Sequence, residues 1–208
     1  MNKTLKHPNI YDGIWREIRN RPEGLKLKNR GLFLDRDGTI IQLISYLDDP
    51  SKVKIINGII ELIYKANNNG IKVIMITNQS GISRGYFDWN AFSKVNDKIM
   101  LECESLGAHF DAIYACPDHP NEPTNYRKPN PGMLLTAAKD LKLDLTQSII
   151  VGDSIVDLQA GKRAGLNQGW LVSSGNGKKH LKAALSIADS NFSVHVKVAP
   201  HDVESALT

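Results

Sequence analysis

Cysteine is scarce in this chain of 208 residues. Only Cys103 and Cys116 occur, too few for a disulfide framework and in keeping with a reducing compartment. Long apolar runs are also missing. The longest, IINGIIELI, is interrupted by Asn57 and Glu61, so no segment is expected to span a membrane. Internal repeats and low-complexity tracts are absent. The excess of positive charge is confined to the start. Residues 1–30 carry eight Lys or Arg against three Asp or Glu, a surplus of five, which leaves −1 for the remainder of a chain whose net charge is +4. A body so close to neutral is not that of a nucleic-acid binder. The basic start lacks the apolar stretch of a signal peptide, and Asp12, Glu17 and Glu23 argue against a transit peptide. A cytoplasmic location is the expectation.

What is there is a regular alternation. Short apolar runs at 31–35, 72–78, 110–116, 148–153 and 168–172 read as strands, with 192–198 as an edge strand. Helical spacing fills 57–70, with Asn57 as the N-cap, and also 88–107, 132–143 and 154–165. The stretch 117–131 is too rich in Pro and Asn for either element. Strands alternating with helices predict an α/β fold: a doubly wound, mostly parallel sheet with helices on both faces. Residues 31–208 form this domain. Residues 1–30 are read as an extension packed on it rather than an arm for nucleic acid, with a short helix around IYDGIWREI. In that helix Tyr11, Ile14, Trp15 and Ile18 would make one apolar stripe, and Arg16, Arg19 and Arg21 would face water or a carboxylate.

In parallel sheets ligands bind beyond the carboxyl ends of the strands. Four strand ends here carry polar chemistry. Asp35 and Asp37 follow the first, and Thr77, Asn78 and Gln79 the second. Arg127 and Lys128 lie beyond the third, and Asp153 and Asp157 follow the fourth. Asp35 and Asp153 supply hard oxygen ligands for Mg²⁺, which takes few carboxylates together with water and phosphate oxygens. The Asp37 carbonyl can join them. A carboxylate with a pKa of about 3.9 is an ionised nucleophile without help from a base. Asp35 can therefore attack phosphorus, and Asp37 can give and take the protons. Thr77, Asn78 and Lys128 suit the phosphoryl oxygens.

The segments FLDRDGT, ITNQS, RKP and VGDSIVD, in this order, resemble the four motifs of the haloacid-dehalogenase-like hydrolases. TNQSGISRGYF, CPDHP, RKPNPGM and GDSIVDLQAGKRAG further resemble the heptose bisphosphate and histidinol-phosphate phosphatases within that superfamily. The resemblance spans roughly residues 31–175. It implies nucleophile Asp35, acid/base Asp37, phosphate-binding Thr77 and Lys128, and Mg²⁺ on Asp35, the Asp37 carbonyl and Asp153. It also implies that Arg127 contacts substrate, that residues 80–86, including Arg84, form a loop over the site, and that there is no large cap domain. The substrate would be a small sugar phosphate, foremost D-glycero-D-manno-heptose 1,7-bisphosphate at its 7-phosphate, and the enzyme a monomer.

The chain departs from that family in one loop. Thr124 and Tyr126 stand where zinc-binding cysteines are usual, and Asp118 stands where the first His would be. Zinc is therefore expected to be lost, with Pro117, Pro120 and Pro123 stiffening the loop. Ser154 replaces a usual Lys. Three rival readings remain: histidinol-phosphate phosphatase, a 3′-phosphatase of nucleic-acid ends, and a non-catalytic phosphosugar-binding protein. Asp157 is expected to support Asp153 or Lys128 rather than bind metal. Cys103 and Trp170 are expected to pack in the core, and Lys178, Lys179 and His180 to be a solvated charge cluster.

Overall fold

The computed structural model describes residues 9–20 and 27–207. Residues 1–8 and 21–26, among them Arg21 and Glu23, lie outside the described residues. One eight-stranded sheet runs in the order β1-β2-β5-β4-β3-β6-β7-β8. Its parallel part comprises β3 (Gly31–Leu34), β4 (Lys72–Asn78), β5 (Ala112–Cys116), β6 (Ile149–Gly152), β7 (Gln168–Val172) and β8 (Ser193–Val198). Leu32, Phe33 and Leu34 are fully buried, because helices cover both faces. On one face α1 (Ile59–Asn68) and α2 (Trp89–Glu104) pack Ile59, Leu62, Ile63, Phe92, Val95 and Ile99 into the core. On the other, α3 (Gly132–Leu141), α4 (Ile155–Ala164) and α5 (Gly177–Leu185) contribute Met133, Leu134, Leu158 and Ala184.

From β3 the chain winds outward through β4 and β5, then returns to β6 on the other flank of β3. The order therefore reverses between β3 and β6. The crevice beyond their carboxyl ends is where such sheets bind ligands. Among the described residues no helix is long and apolar enough to cross a membrane.

Three details differ from the sequence expectations. The start of the described chain is a hairpin, not a helix: β1 (Ile10–Tyr11) pairs with β2 (Ile14–Ile18), which pairs antiparallel with β5. Asp12 and Gly13 between them have φ of 52° and 82°. Two positive values in a two-residue loop match the twist of the flanking strands, and Asp-Gly is a favoured pair there. The apolar residues follow the strand period as well. Ile14 and Trp15 pack into opposite faces of the sheet, while Tyr11 and Ile18 are exposed. Helix α1 begins two residues later than expected, with Gly58 rather than Asn57 at its N-cap and no side-chain cap bond. Lys178, Lys179 and His180 lie in α5, a helix that had no place in the sequence reading.

Trp15 joins the hairpin to the core. It lies 5.6 Å from Trp89 and 5.2 Å from Phe92, ring centre to ring centre. Arg16 adds an ionic tie, with its Nε donating to Asp140 Oδ2 at 2.6 Å and its Nη2 pairing with Oδ1. Trp15→Ala is expected to lower stability by about 3–5 kcal/mol, the usual cost of emptying a buried aromatic site. Urea unfolding measures it, and a loss below about 1 kcal/mol would mean that the hairpin frays apart from the core.

Candidate active site

Asp35 stands one residue beyond β3, and its N–H still donates to Val151 O of β6 at 3.0 Å. The next residues turn at once, with Ile40 and Ile41 donating back to Arg36 O and Gly38 donating to Ile41 O. Gly38 has φ +90°, and any Cβ there would overlap the Asp153 carboxylate. The turn therefore needs glycine for both reasons.

Lys128 reaches under this turn from the loop after β5. Its Nζ donates to Asp35 Oδ1 at 2.6 Å and to Ile76 O at 2.9 Å, and it pairs with Asp157 Oδ1 at 2.6 Å. The Asn78 side chain holds that loop in register: its amide donates to Lys128 O at 2.9 Å and its oxygen accepts from Lys128 N at 3.0 Å. Asp157, in the first turn of α4, accepts from Ser154 N at 3.0 Å with its other oxygen. Both of its oxygens are thus occupied by the protein, and it braces Lys128. Asp153 Oδ2 accepts from Asn176 N at 2.7 Å and Asn176 Nδ2 at 3.1 Å. Ser174, in the same loop after β7, donates to Gly38 O at 2.7 Å.

Asp35, Asp153 and Asp157 are buried and offer oxygens within 4.8 Å of one another. Three carboxylates share one ammonium, so the site is short of positive charge. The titration behaviour follows from that imbalance. Burial, and then Asp157 and Asp37, push Asp35 up to about 7 against the pull of Lys128. Burial, then Asp35, pushes Asp153 up to about 6. Burial opposes the charge on Lys128, yet Asp157 and Asp35 hold its ammonium above the ordinary range. A hard divalent cation on Asp35 and Asp153 would supply the missing charge, so the donor set fits such an ion.

Asp37 sits on the cleft side. Its Oδ2 accepts from Arg36 Nε at 3.1 Å and Gln79 Nε2 at 2.8 Å, and its Oδ1 accepts from Arg36 Nη2 at 3.2 Å. Gln79 Nε2 also donates to Thr77 Oγ1 at 2.7 Å. A cavity of about 250 Å³ opens here, lined by Arg36, Asp37, Leu43, Tyr46, Asn78 and Gln79 among others. Arg127 donates to Asp118 O at 2.8 Å and is half-buried. Burial first, and the nearby Arg84 more weakly, draw its guanidinium below the ordinary range against Cys116 and Asp118. Arg84 is exposed.

The fold thus brings Asp35, Asp37, Thr77, Asn78, Gln79, Lys128 and Asp153 to one crevice. It ties the side chains of Asn78 and Gln79 to protein partners, and leaves Arg84 in solvent. Sequence reasoning missed Arg36, Ser174 and Asn176. The last two lie beyond a fifth strand end, Val172, and the rule applied to the other four strands would have found them. Arg36 stands between two acids in the strand-end segment, which is its only signal.

Three comparisons bear on this site. The sequence profile of the family described as haloacid dehalogenase-like hydrolase matches residues 11–165. A D-glycero-beta-D-manno-heptose-1,7-bisphosphate 7-phosphatase of Mesorhizobium japonicum is 46% identical over 179 residues, 80% of this chain and 79% of that protein. A D-glycero-alpha-D-manno-heptose-1,7-bisphosphate 7-phosphatase of Burkholderia mallei is 38% identical over 168 residues, 77% of this chain and 89% of that one. The crystal structure of D,D-heptose 1,7-bisphosphate phosphatase from B. bronchiseptica, complexed with magnesium and phosphate, superposes with a TM-score of 0.76 at 33% identity. It covers 85% of this chain and 97% of that one.

The raised carboxyls give a signed prediction for metal-free protein. Unfolded Asp titrates near 3.9, whereas folded Asp153 and Asp35 hold their protons up to about 6 and about 7. Between those limits the folded state binds more protons, so stability falls as pH rises through the window. A cation that takes the ionised carboxylates offsets this loss. The rise in melting temperature on adding Mg²⁺ is therefore expected to be larger at pH 8 than at pH 5.5. Thermal melts at both pH values check it, and a shift equal at both, or larger in acid, would contradict it.

Proposed function

The chain belongs to the haloacid dehalogenase-like hydrolase family, and from that premise we propose that it is a Mg²⁺-dependent phosphatase removing the 7-phosphate of a heptose 1,7-bisphosphate. The carrying observation is the buried Asp35 carboxylate, held at Oδ1 by Lys128 beside Asp153, with Asp37 two residues on.

Asp35 attacks phosphorus, and the bond from phosphorus to the sugar oxygen breaks as the aspartyl-phosphate forms. The departing alkoxide takes the proton of Asp37. Asp37, now ionised, takes a proton from a water as that water attacks phosphorus. The bond to Asp35 breaks, inorganic phosphate leaves, and both carboxyls are restored. Lys128 keeps Asp35 oriented and adds fixed positive charge to a charge-dense transition state. Thr77 and the backbone beyond β4 face the phosphoryl oxygens. Asp35, Asp153 and the Asp37 carbonyl would hold Mg²⁺, which when bound neutralises phosphoryl charge.

Two observations favour a doubly phosphorylated sugar over histidinol phosphate. Arg127 and Arg84 lie close enough to repel, a pairing that a second phosphate relieves. The relatives named above act on heptose 1,7-bisphosphates. The test is a hydrolysis panel of both anomers of heptose 1,7-bisphosphate with histidinol phosphate. The bisphosphates are expected to lead in kcat/KM, and a lead for histidinol phosphate would overturn the substrate. Asp35→Asn is expected to lose more than about 10³-fold in kcat with its fold intact. Substantial turnover in that variant would exclude the covalent route.

We also propose that the 116–126 loop holds no zinc. Asp118 Oδ2 accepts from Thr124 N at 2.8 Å and His119 Nδ1 from Asn121 N at 3.2 Å, so both side chains brace the loop itself. Cys116 is left without the further Cys or His donors that a closed zinc site needs, since Thr124 and Tyr126 stand in the other positions. Elemental analysis of protein purified without chelator is expected to find none. One zinc per chain would refute this.

A further inference from the structure

Arg36 is an expensive residue to place where it is. Its side chain is 1% exposed. A buried cation costs stability, and an apolar residue of similar volume often serves packing as well or better. Its surroundings nevertheless fix every part of the guanidinium. Nε and Nη2 grip both oxygens of Asp37, Nη2 donates to Gln79 Oε1 at 3.0 Å, and Nη1 lies 3.4 Å from Asn96 Oδ1. The group sits 5.3 Å above the centre of the Phe92 ring. Phe92 in turn touches Trp15 and Trp89.

We propose that Arg36 is the positioning residue for Asp37, and that it selects which oxygen of Asp37 carries the proton. The inference rests on the reading of Asp37 as the acid/base group. Oδ2 receives two hydrogen bonds, from Arg36 Nε at 3.1 Å and Gln79 Nε2 at 2.8 Å. A carboxylate oxygen has two in-plane lone pairs, so Oδ2 has no room for a proton. Oδ1 receives only Arg36 Nη2, at 3.2 Å, among the described residues. Oδ1 is therefore the oxygen that gives a proton to the leaving alkoxide and takes one from water. Arginine suits this role because its planar fork fixes the carboxylate plane and never exchanges its own proton at working pH. Gln79 is oriented by the same contacts: with Oε1 on Arg36, its Nε2 must face Asp37 and Thr77. Arg36, Asp37 and Gln79 line one cavity, so the Asp37 carboxylate borders the crevice rather than the core.

The test separates a misplaced acid from general damage by changing the leaving group. A sugar alkoxide needs a proton to depart, and dinitrophenolate does not. In Mg²⁺-loaded Arg36→Met, kcat on heptose bisphosphate is expected to fall about 10²-fold with KM little changed. Formation of the phosphoenzyme from 2,4-dinitrophenyl phosphate, followed by rapid quench, is expected to keep its rate within about threefold. Breakdown of that phosphoenzyme needs the same oxygen to activate water, so a burst of one dinitrophenolate per site should precede slow turnover. Arg36→Lys is expected to recover little, because a point charge cannot fix both oxygens. Equal losses on the two esters in phosphoenzyme formation, or wild-type kinetics, would overturn the proposal. Asp37→Asn is run alongside. If it too shows no dependence on leaving group, the acid/base reading of Asp37 is what has failed. Should Arg36→Met not fold, Gln79→Met removes one donor to Oδ2 and is expected to give the same burst with about tenfold slower breakdown. Its absence in a folded variant overturns the proposal equally.

Discussion

The seam between β3 and β6 concentrates negative charge that the protein alone does not balance. Asp35, Asp153 and Asp157 are buried there against the single ammonium of Lys128. Breaking one partner of a buried pair typically costs 3–5 kcal/mol, because the other charge is left stranded. The surrounding structure is arranged to keep Lys128 from moving. Its Nζ is held from three sides, by Asp35, Asp157 and Ile76 O, and its backbone by the reciprocal pair with Asn78. Asp157 is fixed in turn by Ser154 N at the start of α4. The residual shortage of positive charge fits the same place to a divalent cation.

Backbone crowding sets how close these groups can come. A Cβ at Gly38 or at Gly175 would overlap the Asp153 carboxylate, and one at Gly152 would overlap Asp157. The loops after β3 and β7 thus close directly on the Asp153 carboxylate, and the end of β6 closes on Asp157. Gly38 and Gly175 also take positive φ, so two requirements coincide at each. Preorganisation of this kind leaves little to rearrange when charge develops on the phosphoryl group.

Much of this was legible from residue order alone, for an identifiable reason. Strands buried on both faces must be apolar throughout, so the first polar residue after each run marks the strand end. In a parallel sheet those ends share one edge. Asp35, Thr77 and Asp153 were found that way. The hairpin is not legible that way, because Tyr11, Ile14, Trp15 and Ile18 also fit a helical stripe, and the Asp12–Gly13 pair alone signals the two-residue turn. Helix α5 is hidden by its composition, since Lys178, Lys179 and His180 read only as a solvated charge cluster, and Lys178 and Lys179 are indeed exposed. Arg36 was beyond reach for a different reason. Its role depends on Gln79, Asn96 and Phe92, which lie far away in sequence and meet it only in the folded chain.

The hairpin and the Asp37 carboxylate are joined through one apolar floor. Trp15, Trp89 and Phe92 form a mutually packed cluster beneath the Arg36 guanidinium. Such a floor excludes water from one side of the ion pair, which strengthens the attraction between Arg36 and Asp37. Antiparallel β2 covers what would otherwise be the open edge of β5. The same strand that protects the sheet from edge pairing thus supplies, through Trp15, packing for the Phe92 ring on which the guanidinium rests. Changes at residue 15 therefore reach Asp37 by a short route of contacts, Trp15 to Phe92 to Arg36 to Asp37, even though Trp15 is not part of the crevice.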